Sequence, residues 1–385
     1  MLRPAALLAV LWAAVALCGC SPSVQQLSDS GFGAYEASLT ISEDRAAVAW
    51  YDNRDGNAEI YARIVDAAGQ GIGPEHRLTN DPESSFEADI VVAGEGYAVA
   101  WYDVDEAGMR QARLGYFDND FERRWDVALS PPARDGRIPV LRSFEDRLFC
   151  AWLETRADGV VEVRAGWWDF EGRAISGSLV PGPAGATTWN LNAAVDYDGN
   201  VYLVYDAAVD TQAEEIFVAR VDHGASEFWR ISLDDDFASR YPDIAINTGR
   251  VALAWFDERD GNEEVYLYAG LLDGVAAEID ASARRITTTP GESIGAYVDW
   301  SGDRIGLAWN DDSEGQHEIY FQAFDASGDS LGAAVRVTRN DTDSMIPSIR
   351  ASGDGFMLAW NEVAPDPRGI HGADTRSEIV ATVVP

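Results

Sequence analysis

Lysine is absent from this chain: all 29 basic residues are arginine, set against 65 aspartates and glutamates, for a formal net charge of −36. A surface of that sign excludes nucleic acid as a partner, because phosphate contacts need basic patches. It also repels anionic lipid unless divalent cations intervene. Cysteine is nearly as scarce, with three in 385 residues. Cys18 and Cys20 lie close to the N-terminus, so Cys150 stands alone in the body of the chain and cannot form an internal disulfide there. Its place in the apolar run 148–152 marks it as a small buried hydrophobe. His76, His223, His317 and His371 are scattered without metal-ligand spacing. No Gly-x-Ser-x-Gly elbow or phosphate-cradling glycine loop is present, and no stretch carries helical periodicity with caps.

What is there is a repeat. A hydrophobic content of 46%, with 11% aromatic residues, excludes a disordered chain and supplies a large core. The segment 50–61, Trp-Tyr-Asp-Asn-Arg-Asp-Gly-Asn-Ala-Glu-Ile-Tyr, recurs in recognisable copies. Aligned on the aromatic of an Ala-Trp-x-Asp/Glu core, the copies fall at Trp50, Trp101, Trp152, Tyr205, Trp255, Trp309 and Trp360, with intervals of 51, 51, 53, 50, 54 and 51. Periods of about 40 to 50 residues made only of strands and turns are the blades of a propeller.

Each unit divides into four strand segments. The first is often led by proline, as in Ile138-Pro139, Tyr241-Pro242 and Ile346-Pro347; the second is apolar on both faces and ends at the aromatic. A third alternates around Glu-Ile-Tyr, and the fourth is a short Arg-x-Thr/Ser strand such as Arg77-Leu78-Thr79. The last unit stops at Pro385 without its fourth strand, while residues 24–29 match a fourth strand with no unit before it. The expectation is an all-β, single seven-bladed propeller of four-stranded antiparallel blades over residues 24–385. First strands line the channel, and the N-terminal strand completes the last blade from its outer rim, which closes the ring and removes an aggregation-prone edge.

Two resemblances follow from motifs. The apolar run 5–17 after Arg3 is too short to span a bilayer but suits a signal peptide, and Leu17-Cys18-Gly19-Cys20 resembles a bacterial lipobox. The resemblance implies a signal peptide over residues 1–19, acylation at Cys20, and a tether over residues 20–23. With Ser21 rather than Asp after that cysteine, it implies sorting to the outer membrane of a bacterial envelope. Acyl chains contribute about 0.8 kcal/mol per buried CH2, so a multiply acylated Cys20 is a stable anchor. The pattern of Pro, an apolar strand ending in Ala-Trp-x-Asp, then Arg-Asp-Gly-Asn-x-Glu-Ile-Tyr resembles secreted and lipoprotein propellers loosely related to the TolB-like and sialidase-like groups. That architecture hosts many unrelated activities.

Candidate chemistry gathers on the face that carries the loops between second and third strands. Asp52, Asp55 and Asn57, with their second copy Asp257, Asp260 and Asn262, form oxygen-rich turns that suit calcium, a hard cation. Their spacing is not that of an EF-hand, and Arg-Asp-Gly-Asn is equally a hairpin turn in which Gly takes positive φ and Asp or Asn bonds the local backbone. Both readings stand at this point, and no other cofactor is implied. Specificity in repeat proteins sits where the repeat fails. It fails in the uncharged connection 181–191, with Trp189 and Asn190, and in the enlarged last hairpin 363–376, with His371. These three are the candidate ligand residues. The function expected is a monomeric, non-enzymatic, membrane-anchored scaffold that binds an envelope protein or polysaccharide. The alternative is a carbohydrate-active enzyme or lectin of sialidase-like type, although the Asp-x-x-Gly turns lack the Ser and Thr-Trp of sialidase repeats.

Overall fold

The computed structural model describes residues 23–42, 45–209, 212–221, 226–271, 282–365 and 375–385. The leader, Cys20, His223 and His371 lie outside the described residues. Seven separate four-stranded sheets make up the fold, each antiparallel between neighbours. Blades 1 to 6 are built in strict chain order, beginning with Ala34–Ser42, Ser84–Ala93, Gly136–Phe144, Ala186–Val195, Ser239–Asn247 and Ser293–Ser301. Blade 7 begins with Asp343–Ser352 and takes its outermost strand from Gln25–Gln26. The first strands of successive blades pack side by side, and those of blades 7 and 1 also meet. The seven first strands therefore ring a central channel.

Between blades the core is continuous. Seven apolar clusters occupy the seven seams, each drawing residues from two adjacent blades. Trp50, Trp101, Trp255 and Trp360 are fully buried there, so the repeated aromatic is core. Cys150 packs in the seam of blades 2 and 3, and burial pushes its thiol well up.

The acid two residues after the aromatic is explained by a polar lock. Asp52 accepts from the Trp50 indole at 3.2 Å and from the Ser30 hydroxyl at 2.7 Å. In blade 2, Asp103 accepts from Trp101 and Ser85, both at 2.8 Å, and in blade 7 Glu362 accepts from Trp360 at 2.7 Å and Ser344 at 3.0 Å. The glutamate that opens the third strand makes a second lock. Glu59 takes a hydroxyl bond from Thr79 at 2.5 Å and pairs with Arg77 at 2.7 Å, and Glu318 uses Thr338 and Arg336 in the same way. Outer strands are shorter than the sequence pattern implies. In blades 5 and 6 the described outer strands are Arg284–Arg285 and Val335–Arg336, and the hydroxyl of the threonine beyond accepts from the third strand's amide.

Closure reuses this second lock. Gln25 and Gln26 pair with Ala381 and Val380, and the Leu27 amide bonds the Ile379 carbonyl at 2.8 Å. Ser28 stands where blades 1, 2, 4, 5 and 6 have Thr or Ser, donating to Glu378 at 2.5 Å and accepting from the Ile379 amide at 2.8 Å. The amides of Ser30 and Gly31 complete the shell of Glu378 at 3.0 Å each. Leu27 is fully buried in the seam of blades 7 and 1. Deletion of residues 24–29 is therefore expected to lower the thermal midpoint and to promote aggregation through the bared strand, and Ser28→Ala alone to cost about 1–3 kcal/mol by leaving Glu378 short of a donor. Unchanged midpoints in thermal unfolding would contradict this closure.

Candidate functional site

The ends of the first strands that carry the blade connections form one mouth of the channel. Ala34 pairs with Asp52 at the end of the second strand, so the hairpin loop 53–58 lies at the same end. Near this end all seven first strands lose register at the same level: between Tyr35 and Ser38, Phe86 and Asp89, Arg137 and Val140, Thr188 and Leu191, Arg240 and Asp243, Ile294 and Tyr297, and Met345 and Ser348. A bulge leaves its extra residues out of the ladder and redirects a side chain. It also explains the prolines at 139, 242 and 347, which sit where no ladder amide is needed.

The first bulged residue takes a left-handed backbone in six blades: Glu36 (φ 57°), Glu87 (50°), Ile138 (50°), Tyr241 (51°), Gly295 (65°) and Ile346 (55°). For isoleucine this is a costly conformation, on the order of 1–3 kcal/mol, and it persists because the surroundings impose it. Blade 4 solves the problem differently. There the buried Asp206 carboxylate accepts from the amides of Trp189 at 3.3 Å and Asn190 at 2.8 Å, from the Asn190 side chain at 2.7 Å, and from the Tyr241 amide of blade 5 at 3.0 Å.

Trp189, Tyr241 and Ile346 are exposed, whereas Glu36, Glu87 and Ile138 are half-buried. Burial pushes Glu36 up to about 8, with the neighbouring Glu87 charge adding to it. Glu87 is raised by burial too, and is held back by its bond from the Tyr102 hydroxyl at 3.2 Å and by Arg137 and Arg110. Those arginines are already shared with Asp135, at 2.5 Å from Arg110 and 3.5 Å from Arg137. Tyr241 is raised by burial, by Asp206, and then by Glu87 and Glu36, although blade 5 lies across the ring from blades 1 and 2. Beside the acids runs an aromatic band: Tyr35 stacks on Tyr51 at 5.4 Å, Tyr51 meets Phe86 at 5.1 Å, and Phe86 meets Tyr102 at 5.8 Å.

Trp189 and Asn190 thus belong to the mouth, on a first strand and not in a connecting loop. His371 lies outside the described residues. The six turn residues proposed for calcium sit in two separate blades, each committed to protein partners. Asp55 accepts from the Tyr61 hydroxyl and pairs with Arg77 at 3.3 Å, and Asp260 accepts from Tyr266 at 2.6 Å and pairs with Arg285 at 2.8 Å. Asp52 and Asp257 hold Ser30 and Ser239, each at 2.7 Å, together with the arginine two residues on. Asn57 donates to Glu59 at 2.9 Å and to the Glu83 carbonyl at 2.8 Å, and Asn262 to the Thr289 carbonyl at 3.2 Å. Among the described residues no group of three His, Cys, Asp or Glu side chains could hold a metal ion. Sequence reasoning missed Glu36, Glu87 and Tyr241, although the residue before each repeated proline was a signal that led to their column.

No protein-family model matches this chain, and no curated protein is similar to it. Solved structures are. A protein of unknown function from Dyadobacter fermentans DSM 18053 aligns with a TM-score of 0.58 at 10% identity, over 95% of this chain and 99% of that one. A puromycin-hydrolyzing peptidase of Mycobacterium tuberculosis aligns at 0.58 and 13% identity, over 89% of this chain and 51% of the peptidase. Phage phi92 endosialidase aligns at 0.53 and 9% identity, over 95% and 69%. These similarities show a propeller fold like those of peptidases and sialidases.

The Glu36 carboxyl supplies a test of the mouth's electrostatics. Folding raises its pKa above the ordinary 4.5, so its contribution to stability is full below that value and is lost as pH rises through about 8. Glu36→Gln is expected to raise the thermal midpoint at pH 8 more than at pH 5. Equal shifts at both pH values would show that the carboxyl is not in this environment.

Proposed function

We propose that this chain is a lipid-anchored binding propeller of a bacterial envelope, tethered through Cys20 to the outer membrane, which holds a protein or polysaccharide partner at the channel mouth without turning it over. The observation that carries this reading is the contrast along the bulged column. The bulge is repeated seven times, yet the residues it presents are Glu36, Glu87, Ile138, Trp189, Tyr241, Gly295 and Ile346. A purely structural column would repeat its residue as the core tryptophan does. Exposed Trp and Tyr on a rigid rim are the residue types that dominate binding energy at interfaces. The resemblance of the repeat motif to TolB-like propellers fits the same reading.

One observation favours a second reading. Two carboxyls, Glu36 and Glu87, lie at equivalent positions of adjacent blades at the mouth, both raised by burial, and glycoside hydrolysis uses paired carboxyls of which one is held protonated. The endosialidase among the similar folds brings the same chemistry to mind, at an identity that speaks for the fold alone.

Crosslinking of the native lipidated protein separates the two. Recovery of a defined envelope partner is expected, lost in Trp189→Ala and Tyr241→Ala, each costing about 2 kcal/mol or more of binding. Turnover on a glycan panel, abolished by Glu36→Gln, would instead establish the second reading.

A further inference from the structure

Blade 3 departs from its neighbours where the outer strand should complete the second lock. Register sets Leu179 opposite Arg164, whereas in blades 1, 5 and 6 Arg77, Arg285 and Arg336 stand opposite tyrosines. Those arginines reach the third-strand glutamate, Arg77 to Glu59 at 2.7 Å, Arg285 to Glu264 at 2.8 Å and Arg336 to Glu318 at 2.6 Å. The Val180 amide bonds the Val163 carbonyl at 3.0 Å as Leu78 bonds Ile60, so Pro181 takes the place of Thr79 and brings no hydroxyl. Glu162 is held from its own hairpin instead, by Arg164 at 2.6 Å and Arg156 at 3.8 Å. Where no arginine reaches in from the outer strand, a cavity of about 440 Å³ stays open, lined by Arg134, Arg156, Arg164, Asp158, Glu162 and Leu179.

Arginine outnumbers acid on this wall, the reverse of a chain with 29 basic and 65 acidic residues. Among the described residues each of the three makes one side-chain hydrogen bond: Arg134 to the buried Glu154 at 3.1 Å, Arg156 to Asp158 at 2.8 Å and Arg164 to Glu162 at 2.6 Å. A guanidinium has several N–H donors, so the wall keeps donors for an oxyanion. The net charge of −36 repels polyanions, which limits the guest to an isolated carboxylate.

The cavity lies at the end of an unprotected edge. The outer strand of blade 3, Ala174–Leu179, holds neither charge nor proline. Other outer strands are blunted: Gln25–Gln26, Arg284–Arg285 and Val335–Arg336 are short, Gly71–Arg77 contains Pro74, and Arg123–Ala128 and Ser226–Arg230 are charged. Its register shift falls at Ile175, and the ladder is regular from Ser176 on. Because Val180 bonds inward, ladder alternation turns the amides and carbonyls of Gly177 and Leu179 outward, beside the exposed Ile175 and Leu179 side chains. Such a row is a template for another strand.

We propose that the outer edge of blade 3 docks an extended peptide segment of a partner protein, which adds a strand to Ala174–Leu179 and sets a carboxylate among Arg134, Arg156 and Arg164. The carboxylate is either an acidic side chain at the start of an antiparallel added strand or the free C-terminus of a parallel one, since both place it at the Leu179 end. The fourth strand is the one farthest from the axis, so this surface is separate from the channel mouth.

Calorimetry on the full chain tests it with acetyl-Glu-Thr-Val-Thr-Val-Thr-amide, with its glutamine counterpart, and with acetyl-Thr-Val-Thr-Val-Thr-Val ending in a free carboxylate. At least one of the two acidic peptides is expected to bind, about tenfold or more tighter than the glutamine peptide. Gly177→Pro removes an outward amide without touching the inner ladder, at a position where an added Cβ meets nothing closer than 3.7 Å. It is expected to weaken the acidic peptides about tenfold. Arg156→Gln, at an exposed arginine, is expected to weaken them by a similar factor and to leave the glutamine peptide as it was. Preference for the first peptide identifies an acidic side chain, and for the third a C-terminal carboxylate. Absence of binding by both acidic peptides, equal binding of the glutamine peptide, or affinities unchanged in either variant overturns the proposal. So does a dimer in sedimentation that Gly177→Pro dissolves, because a second copy then occupies the edge.

Discussion

Seven strands standing around one axis belong to seven different sheets, and side chains have to hold them together there. A belt of such bonds runs around the whole channel just below the bulges. Ser38 donates to Asp89 at 2.8 Å, and Asp89 accepts from the Leu141 amide at 2.8 Å. Arg142 bonds the Ala193 carbonyl at 2.7 Å, and Asn192 donates to Asp243 at 2.6 Å. Asp243 accepts from the Val298 amide at 2.8 Å, Asp299 from Ala351 at 2.7 Å, and Ser348 from Leu39 at 3.1 Å, which brings the belt back to blade 1. Each seam is thus crossed by at least one hydrogen bond between first strands. Burial pushes Asp243 up to about 6 even so, while the Val298 and Ile244 amides favour its charged form.

The belt and the bulges act as one device. A first strand fixed to its neighbours at this level cannot slide to relieve a left-handed isoleucine, so the strain at Ile138 and Ile346 is held in place by the ring as a whole. In return the bulge places one irregular residue per blade at the mouth, at a height set by the belt. The outer parts of each blade answer to different needs. Their buried acids lock strand to strand, and at Glu378 the same lock joins the two ends of the chain. Structure is repeated where packing demands it, and chemistry varies where the repeat faces the channel and at the outer edge of blade 3.

How much of this was legible in the sequence follows from which partners are near in sequence. Blade number, strand order and the closing N-terminal strand were readable, because the Ala-Trp-x-Asp column and the missing fourth strand of the last unit are local patterns. The mouth was not. In blades 1 and 2 the proline found before the bulge's end in blades 3, 5 and 7 is replaced by Ala37 and Ala88, so nothing local marks Glu36 and Glu87. Trp189 stands out for its uncharged surroundings, but the sequence there reads as a connection, since Asn190 replaces the proline and Asp206, seventeen residues from Trp189, supplies the support. Asp55 and Asp260 looked like metal ligands for a similar reason. The tyrosine and arginine that occupy them are brought there by strand pairing, which a list of acidic residues does not contain.

The account of the mouth depends on the bulges setting Glu36 into buried surroundings at the channel. Carbon-13 NMR of the side-chain carboxyls of Glu36 and Glu87, followed against pH, addresses that point directly. The expected result is a Glu36 carboxyl titrating near pH 8. Two carboxyls that both titrate in the ordinary range would contradict it.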